Sequence, residues 1–312
     1  MPRPRREHLS RMTLRQMQLM TAIAENGSLK RASEAIEMSQ PRATKSLREV
    51  EHLLGCTLFN RTNRGLFPNA AGDCAIRHAR VMLAQLDAME REIHSLSGAE
   101  FQRLRIGTIM GAVPYISEII TIFLQRFPHT SVEIIEDTSA DMLRMLDRGQ
   151  LDLMIGRSSV SPNPHLYNVQ AFHDELLSVV ANPLHPLVGR KRVTLQDLSD
   201  SRWIVYAAAM PMRLSLEQEY RRAGLAFPRN LLETRSALTT MALIQANANT
   251  IALLSSDVAA FFTNFSMART LPMHLQSRSE PYEVITRQAM EPSEPVAIFI
   301  EDLVSGVRPQ DH

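Results

Sequence analysis

Apolar positions in the first seventy residues recur at helical spacing in three short runs. Met17, Met20, Ile23 and Ala24 make the first, opened by Thr13 as a cap and stopped at Asn26-Gly27. Leu29, Ala32, Ala35 and Ile36 make the second, opened by Ser28. Only Glu37 to Ser39 separate it from the third, where Ala43, Leu47 and Val50 fall at i, i+4 and i+7 and predict one buried face. Ser39 is placed to cap that helix, and Pro41 sits in its opening turn, where a missing donor costs little. Pro41, Thr44, Lys45 and Arg48 share the opposite, polar and cationic face. Short helices, a tight turn and a third helix with a cationic outer face are the pattern of a helix-turn-helix. Such a helix suits the DNA major groove, so this stretch reads as a sequence reader rather than an enzyme.

Downstream the pattern changes. Leu58 and Phe59 are placed to pack under the helices, while Arg61 and Arg64 flank a turn at Asn63 to Gly65. Guanidinium groups there would reach phosphate or the minor groove, as the wing of a winged helix-turn-helix does. From Asn69 to about Ser97 the spacing predicts one long helix. Ala75, Ala79, Met82, Leu86, Met89, Ile93 and Leu96 alternate 4 and 3 apart, a heptad seam fit to pair with a copy of itself. Ser97-Gly98-Ala99 reads as a hinge.

Beyond it, short apolar runs alternate with amphipathic ones. Strands are expected at Leu104 to Gly107, Ser131 to Ile135 and Leu151 to Ile155, with helices at Pro114 to Phe127 and Ser139 to Asp147. A second alternation places strands near Leu176 to Ala181, Trp203 to Tyr206, Leu231 to Thr234 and Ile251 to Leu254. Helices at Leu214 to Ala223 and Ala237 to Ala246 lie between them. The alternation implies parallel βαβ units in two α/β halves with a cleft between.

Charge sharpens this division. The net charge of +1 over 312 residues hides twelve basic and six acidic side chains in residues 1 to 70, against 22 and 27 in the remainder. A basic module on a mildly acidic larger one suits phosphate binding joined to a different task. No apolar run approaches a membrane span, the basic N-terminus leads into no signal core, and Cys56 and Cys74 are the only cysteines. A cytoplasmic protein without disulfides is expected.

In order and spacing, these blocks resemble the LysR-type transcriptional regulators. The likeness runs through Ala24-Glu25-Asn26-Gly27-Ser28, Arg31-Ala32-Ser33, Ser39-Gln40-Pro41 with Lys45, Leu47 and Glu51, Leu53-Leu54-Gly55, Leu58-Phe59-Asn60-Arg61 and Pro68-Asn69-Ala70-Ala71-Gly72. It continues through Glu136-Asp137-Thr138-Ser139, Gly149-Gln150-Leu151-Asp152-Leu153, Pro183-Leu184-His185-Pro186-Leu187 and Glu233-Thr234-Arg235-Ser236. Met20 stands where the family usually has phenylalanine, Asn69 where it has threonine, and Arg42 where it has a small residue.

The resemblance implies an α plus α/β fold: a winged helix-turn-helix in residues 1–70, a dimerisation helix in 71–98, and a two-lobed effector domain in 99–312, similar to periplasmic solute-binding proteins. It assigns DNA contact to Gln40, Pro41, Thr44, Lys45, Arg48, Arg61 and Arg64, with Ser39 at the helix start and Arg42 as an added contact. It assigns dimerisation to Ala79, Met82, Leu86, Met89, Ile93 and Leu96. A small effector is expected at the carboxyl ends of the strands, at Thr108, Gly111, Ala112, Thr138, Ser139 and Ser236, with Arg213 as a carboxylate partner. Residue by residue, Thr138, Ser139 and Ser236 read more strongly as helix caps. The implied partners are promoter DNA, a small effector that is a sugar or an organic or aromatic acid, and further copies of the chain in a homodimer and homotetramer.

No cofactor is implied. The ten histidines show no zinc spacing, and no phosphate-binding glycine loop or nucleophile elbow occurs. The competing reading is a solute-binding protein or enzyme of α/β type with an incidental helical cap.

Overall fold

The computed structural model describes residues 10–63, 65–96, 103–208, 210–288 and 291–306. The chain divides into two compact units; the main sequence boundary falls at Gln102–Arg103, and Arg144–Leu151 groups with the first unit.

The first unit opens with α1 (Leu14–Asn26), started by a capping box. Gln16 N donates to Thr13 Oγ1 at 3.3 Å, and Thr13 N donates back to Gln16 Oε1 at 2.9 Å. Gly27 ends it at φ 61°, the left-handed conformation that glycine adopts without strain. Next come α2 (Leu29–Ala35) and α3 (Gln40–Leu54), the latter closed by Gly55. Neither Ser28 nor Ser39 caps through its side chain, contrary to expectation. Both serines are extended, and it is their carbonyls, accepting from Ala32 N and Ala43 N at 2.9 Å, that begin the helical ladder.

A hairpin follows, β1 (Phe59–Thr62) with β2 (Gly65–Pro68), and then the long helix α4 (Ala70–Leu96). Asn69 caps α4 through Oδ1 to Gly72 N at 2.9 Å, while its Nδ2 holds the Thr57 carbonyl at 2.8 Å. Leu19, Met20, Ile23, Ala32, Ala43, Val50 and Leu58 are sealed in one core, completed by Ile76 and Ala79 of α4. Met20 fills the position where an aromatic ring was expected and is 1% exposed.

The second unit contains two five-stranded sheets. One has the order β4 (Ser131–Glu136), β3 (Arg103–Thr108), β5 (Leu153–Gly156), β12 (Tyr282–Arg287), β6 (Tyr167–His173). The other runs β11 (Arg269–Thr270), β7 (Leu177–Ala181), β10 (Thr250–Ser255), β8 (Arg202–Val205), β9 (Leu231–Glu233). Around the first lie α5 (Val113–Arg126), α6 (Ser139–Asp147) and α10 (Glu294–Ser305); α7 (Pro211–Arg222), α8 (Ala237–Ala246) and α9 (Ser256–Asn264) accompany the second.

The βαβ expectation is met where β3 pairs in parallel with β4 and β5, and β8 with β9 and β10. It fails for β7 and β12, which run antiparallel to β10 and β5. The reason is the path of the chain. It passes from the first sheet to the second after β6 and returns before β12, each time entering at the end where the parallel strands finish. A strand begun there must run the other way. Apolar clusters around Phe123 and Tyr282, around Trp203 and Leu253, and around Ile204 and Leu254 fill the layers between helices and sheets. No helix among the described residues is long and apolar enough to cross a membrane.

Candidate DNA interface and effector cleft

The buried face of α3 comprises Ala43, Ser46, Leu47 and Val50, as the periodicity requires, with Ser46 added. That burial fixes what faces outward. Ser39, Gln40, Pro41, Arg42, Lys45 and Arg48 are exposed, and Thr44 is half-buried with its hydroxyl donating to the Gln40 carbonyl at 3.0 Å. Lys45 lies 3.9 Å from Glu49, an exposed pair that constrains it little. Arg61 is exposed on β1, opposite Leu66. Arg64 lies outside the described residues.

The hairpin is docked by its own backbone. Leu66 N donates to the Gly27 carbonyl at 2.8 Å, so the turn after α1 holds the strand beside Arg61. The approach is close enough that a Cβ on Gly65 would stand 2.4 Å from Gly27 O, and Gly65 has φ 135°. Lys30 and Arg31, exposed on α2, add to the basic surface of this unit and were not assigned from sequence. Their signal was present: both lie off the apolar period of that helix.

Along α4 the seam divides. Ala79 is 3% exposed, packed into the core of its own unit, and so is not free to face another copy. Met82, Met89 and Ile93 are about half exposed, at 49%, 52% and 58%, and Leu86 is half-buried. The Leu96 side chain lies outside the described residues.

In the second unit the carboxyl ends of the parallel strands of both sheets meet. Ser255 Oγ donates to Gly111 O at 3.4 Å, the Tyr206 hydroxyl donates to Met110 Sδ at 3.6 Å, and Arg235 lies 3.7 Å from Asp137. Thr108, Gly111, Ala112, Thr138 and Ser139 all fall at this end, around the finishes of β3 and β4, and Ser236 follows β9. Thr108 is buried with its hydroxyl on the Ile109 carbonyl, and Ala112 N donates to Ile109 O at 3.0 Å. A Cβ on Gly111 would lie 2.4 Å from the Tyr282 hydroxyl.

Thr138 and Ser236 cap helices. Thr138 Oγ1 accepts from Asp141 N at 3.2 Å, and Ser236 Oγ accepts from Thr239 N at 3.1 Å. Ser139 accepts from Arg157 N at 3.1 Å. Arg213 is buried against Glu217 (2.7 Å) and Glu233 (3.8 Å), with its guanidinium 4.4 Å from the Phe227 ring centre. It already has carboxylate partners within its own chain.

Sequence reading missed the charged cluster that joins the two chain crossings. Arg157, at the end of β5, pairs with Glu175 on the first crossing and donates to Ser279 Oγ at 2.9 Å on the second. Tyr282 donates its hydroxyl to Glu175 at 2.9 Å. Burial, the Glu175 charge and the accepting hydrogen bond all push that phenol well above its ordinary value, so it stays protonated. Burial together with Glu175 and Glu136 does the same to Tyr206, and burial raises Glu136. Arg157 was signalled by its place directly after the apolar run Leu153-Met154-Ile155-Gly156. Its partners were not.

Known proteins share both halves of this plan. The model for the LysR substrate binding domain matches residues 97–308, and that for the bacterial regulatory helix-turn-helix protein, lysR family, matches residues 14–73. The HTH-type transcriptional regulator GbpR of Azospirillum brasilense is 31% identical over 277 residues, covering 88% of this chain and 81% of that protein. The RuBisCO operon transcriptional regulator of Allochromatium vinosum is 26% identical, covering 72% and 74%. Among solved structures, a full-length OxyR variant from Pseudomonas aeruginosa superposes with a TM-score of 0.60 at 18% identity, over 95% of this chain and 94% of that one. Full-length CbnR complexed with its target DNA does so at 0.53 and 21%, over 95% and 99%. At these identities the structures speak for the fold, and the two family models, one on each side of the long helix, speak for the lineage. The chain belongs to the LysR family of bacterial transcriptional regulators.

Proposed function

We propose that this protein reads promoter DNA through the outer face of α3, steadied by the hairpin, and that a small molecule in the cleft of the second unit modulates that binding. The observation that carries the reading is the sorting of α3: Ala43, Leu47 and Val50 are sealed inward, which turns Gln40, Pro41, Arg42, Thr44, Lys45 and Arg48 outward together. Gln40 can present donor and acceptor to a base edge, while the cations suit guanine or phosphate. Arg61 sits on the hairpin as a phosphate or minor-groove contact.

A homodimer formed along α4, through Met82, Leu86, Met89 and Ile93, would present two such helices to twofold half-sites, and pairing of effector domains would give a homotetramer. The effector acts by binding one arrangement of these modules more tightly than another. This is a regulator working in the cytoplasm, with no catalytic step.

The test is anisotropy binding to duplex DNA from immediately upstream of the protein's own gene, with competitor DNA and at two salt concentrations. The expected result is specific retention with a steep salt slope. Lys45→Ala and Arg61→Ala should each weaken it with fold and assembly intact, and loss of one phosphate contact should flatten the slope by about 1. Unchanged affinity in both variants at matched salt would remove α3 and the hairpin as the contact surface.

A further inference from the structure

Arg213 lies in the first turn of α7, the helix that follows the carboxyl end of β8, and it is 8% exposed. Its guanidinium is only partly served by the chain. Nε donates to Glu217 Oε1 at 2.7 Å, and the Phe227 ring centre lies 4.4 Å from the guanidinium carbon. Nη1 is buried and has no hydrogen-bond acceptor. Glu233 Oε1 stands 3.8 Å from it, close enough for charge attraction and too far for a hydrogen bond. A buried cationic N–H left in this way carries the desolvation penalty of a charged group.

Glu233 is the last residue of β9, and its side chain is 55% exposed. Only this loose ion pair ties it to Arg213. Arg221 lies 3.9 Å from Glu217, so two cations share that second carboxylate. With Glu233 turned to solvent, one positive charge is left over. The helix start adds to it, because α7 opens with Met210 at its N-cap and no side-chain cap. Two residues past Glu233, Arg235 lies 3.7 Å from Asp137 on the side of the first sheet, so this end of β9 belongs to the cleft. A guanidinium edge of this kind matches a carboxylate, whose two oxygens accept from neighbouring N–H groups.

We infer that the effector is an organic acid whose carboxylate is received by Arg213, and that Glu233 is the chain's own stand-in for that carboxylate, displaced when the acid binds. This rests on the reading of the cleft as the effector site and names the class of molecule it takes.

The experiment uses the full chain and the fluorescence of its single tryptophan, Trp203, which pairs with Leu231 of β9, two residues before Glu233. Acetate, benzoate, succinate and cis,cis-muconate are titrated as carboxylates at constant ionic strength, against D-galactose and myo-inositol as neutral probes. The expected result is a saturable change with at least one carboxylate and none with the neutral probes. The two variants should then move the affinity in opposite directions. Arg213→Gln should weaken carboxylate binding about tenfold or more. Glu233→Gln removes the internal competitor and should tighten it several-fold. Because Glu233 is exposed, that variant decides the matter should Arg213→Gln fail to fold, and a tightening is what a merely structural role would not produce. Carboxylate binding that Glu233→Gln leaves unchanged or weakens overturns the stand-in role and the site. A saturable response to a neutral probe alone overturns the class while leaving the cleft as effector site. Silence from every probe overturns the class and the cleft reading together.

Discussion

Gly72 shows how much a single position can carry. A Cβ there would stand 2.0 Å from the Leu58 carbonyl oxygen, which is backbone and cannot step aside. Gly72→Ala should therefore push α4 off the hairpin and lower stability by about 1 to 3 kcal/mol, read from the urea midpoint at unchanged slope. Arg157 and Glu175 lie at the other extreme of chemistry, 7% and 1% exposed in their side chains. Arg157→Met leaves the carboxylate buried without its cation, and a loss of about 3 kcal/mol or more is expected in the same assay. His185 adds a pH dependence. It is buried, Leu187 N donates to its Nδ1 at 3.2 Å, and Nε2 faces Ser201 Oγ at 3.1 Å, an arrangement for the neutral ring. Burial holds its pKa below the ordinary 6.5, so the unfolded chain takes up the proton first and stability falls as pH drops below about 6.5. Thermal melts across that range should show the decline, and His185→Gln should make it shallower. The outward residues of α3 were legible in the sequence because one helical period places them all. The Arg157–Glu175–Tyr282 cluster was not, since it brings a tyrosine 107 positions beyond Glu175 onto that carboxylate and no local pattern encodes such a meeting.

Elements were legible in proportion to their periodicity. The three short helices, the long helix and α6 fall where apolar spacing put them, and Ser139–Asp147 does so to the residue. β6 was missed because Tyr-Asn-Val-Gln-Ala-Phe-His presents its middle residues to solvent, as the edge strand of a sheet does, and so lacks an apolar alternation. The long helix was read correctly as an element but its seam was assigned one use where it has two. Ala79 belongs to the chain's own core, while Met82, Met89 and Ile93 stand open. The two parts should respond differently to charge. Met89→Lys with Ile93→Lys is expected to lower the assembled mass in light scattering while leaving the circular dichroism of the chain unchanged. Ala79→Lys should instead destabilise the first unit, because it forces a cation into packed core. Equal behaviour of both variants would remove the division.

On the scale of the whole molecule, the sequence pattern showed two α/β halves but not how the chain shares itself between them. Parallel strands are announced by alternating helices; β12 has no such neighbour and is placed only by the return crossing. That return has a consequence for how the protein is made. Tyr282–Arg287 enters between β5 and β6, so it is the strand that joins β6 to the rest of its sheet. Until it has left the ribosome, β6 has no hydrogen-bonding partner there, and Leu153–Gly156 offers an open edge. The helical first unit closes its core with residues no later than Leu83. Synthesis therefore releases a folded DNA-reading module long before its sensor can form, and a chain interrupted ahead of Tyr282 would hold promoter DNA while deaf to any signal.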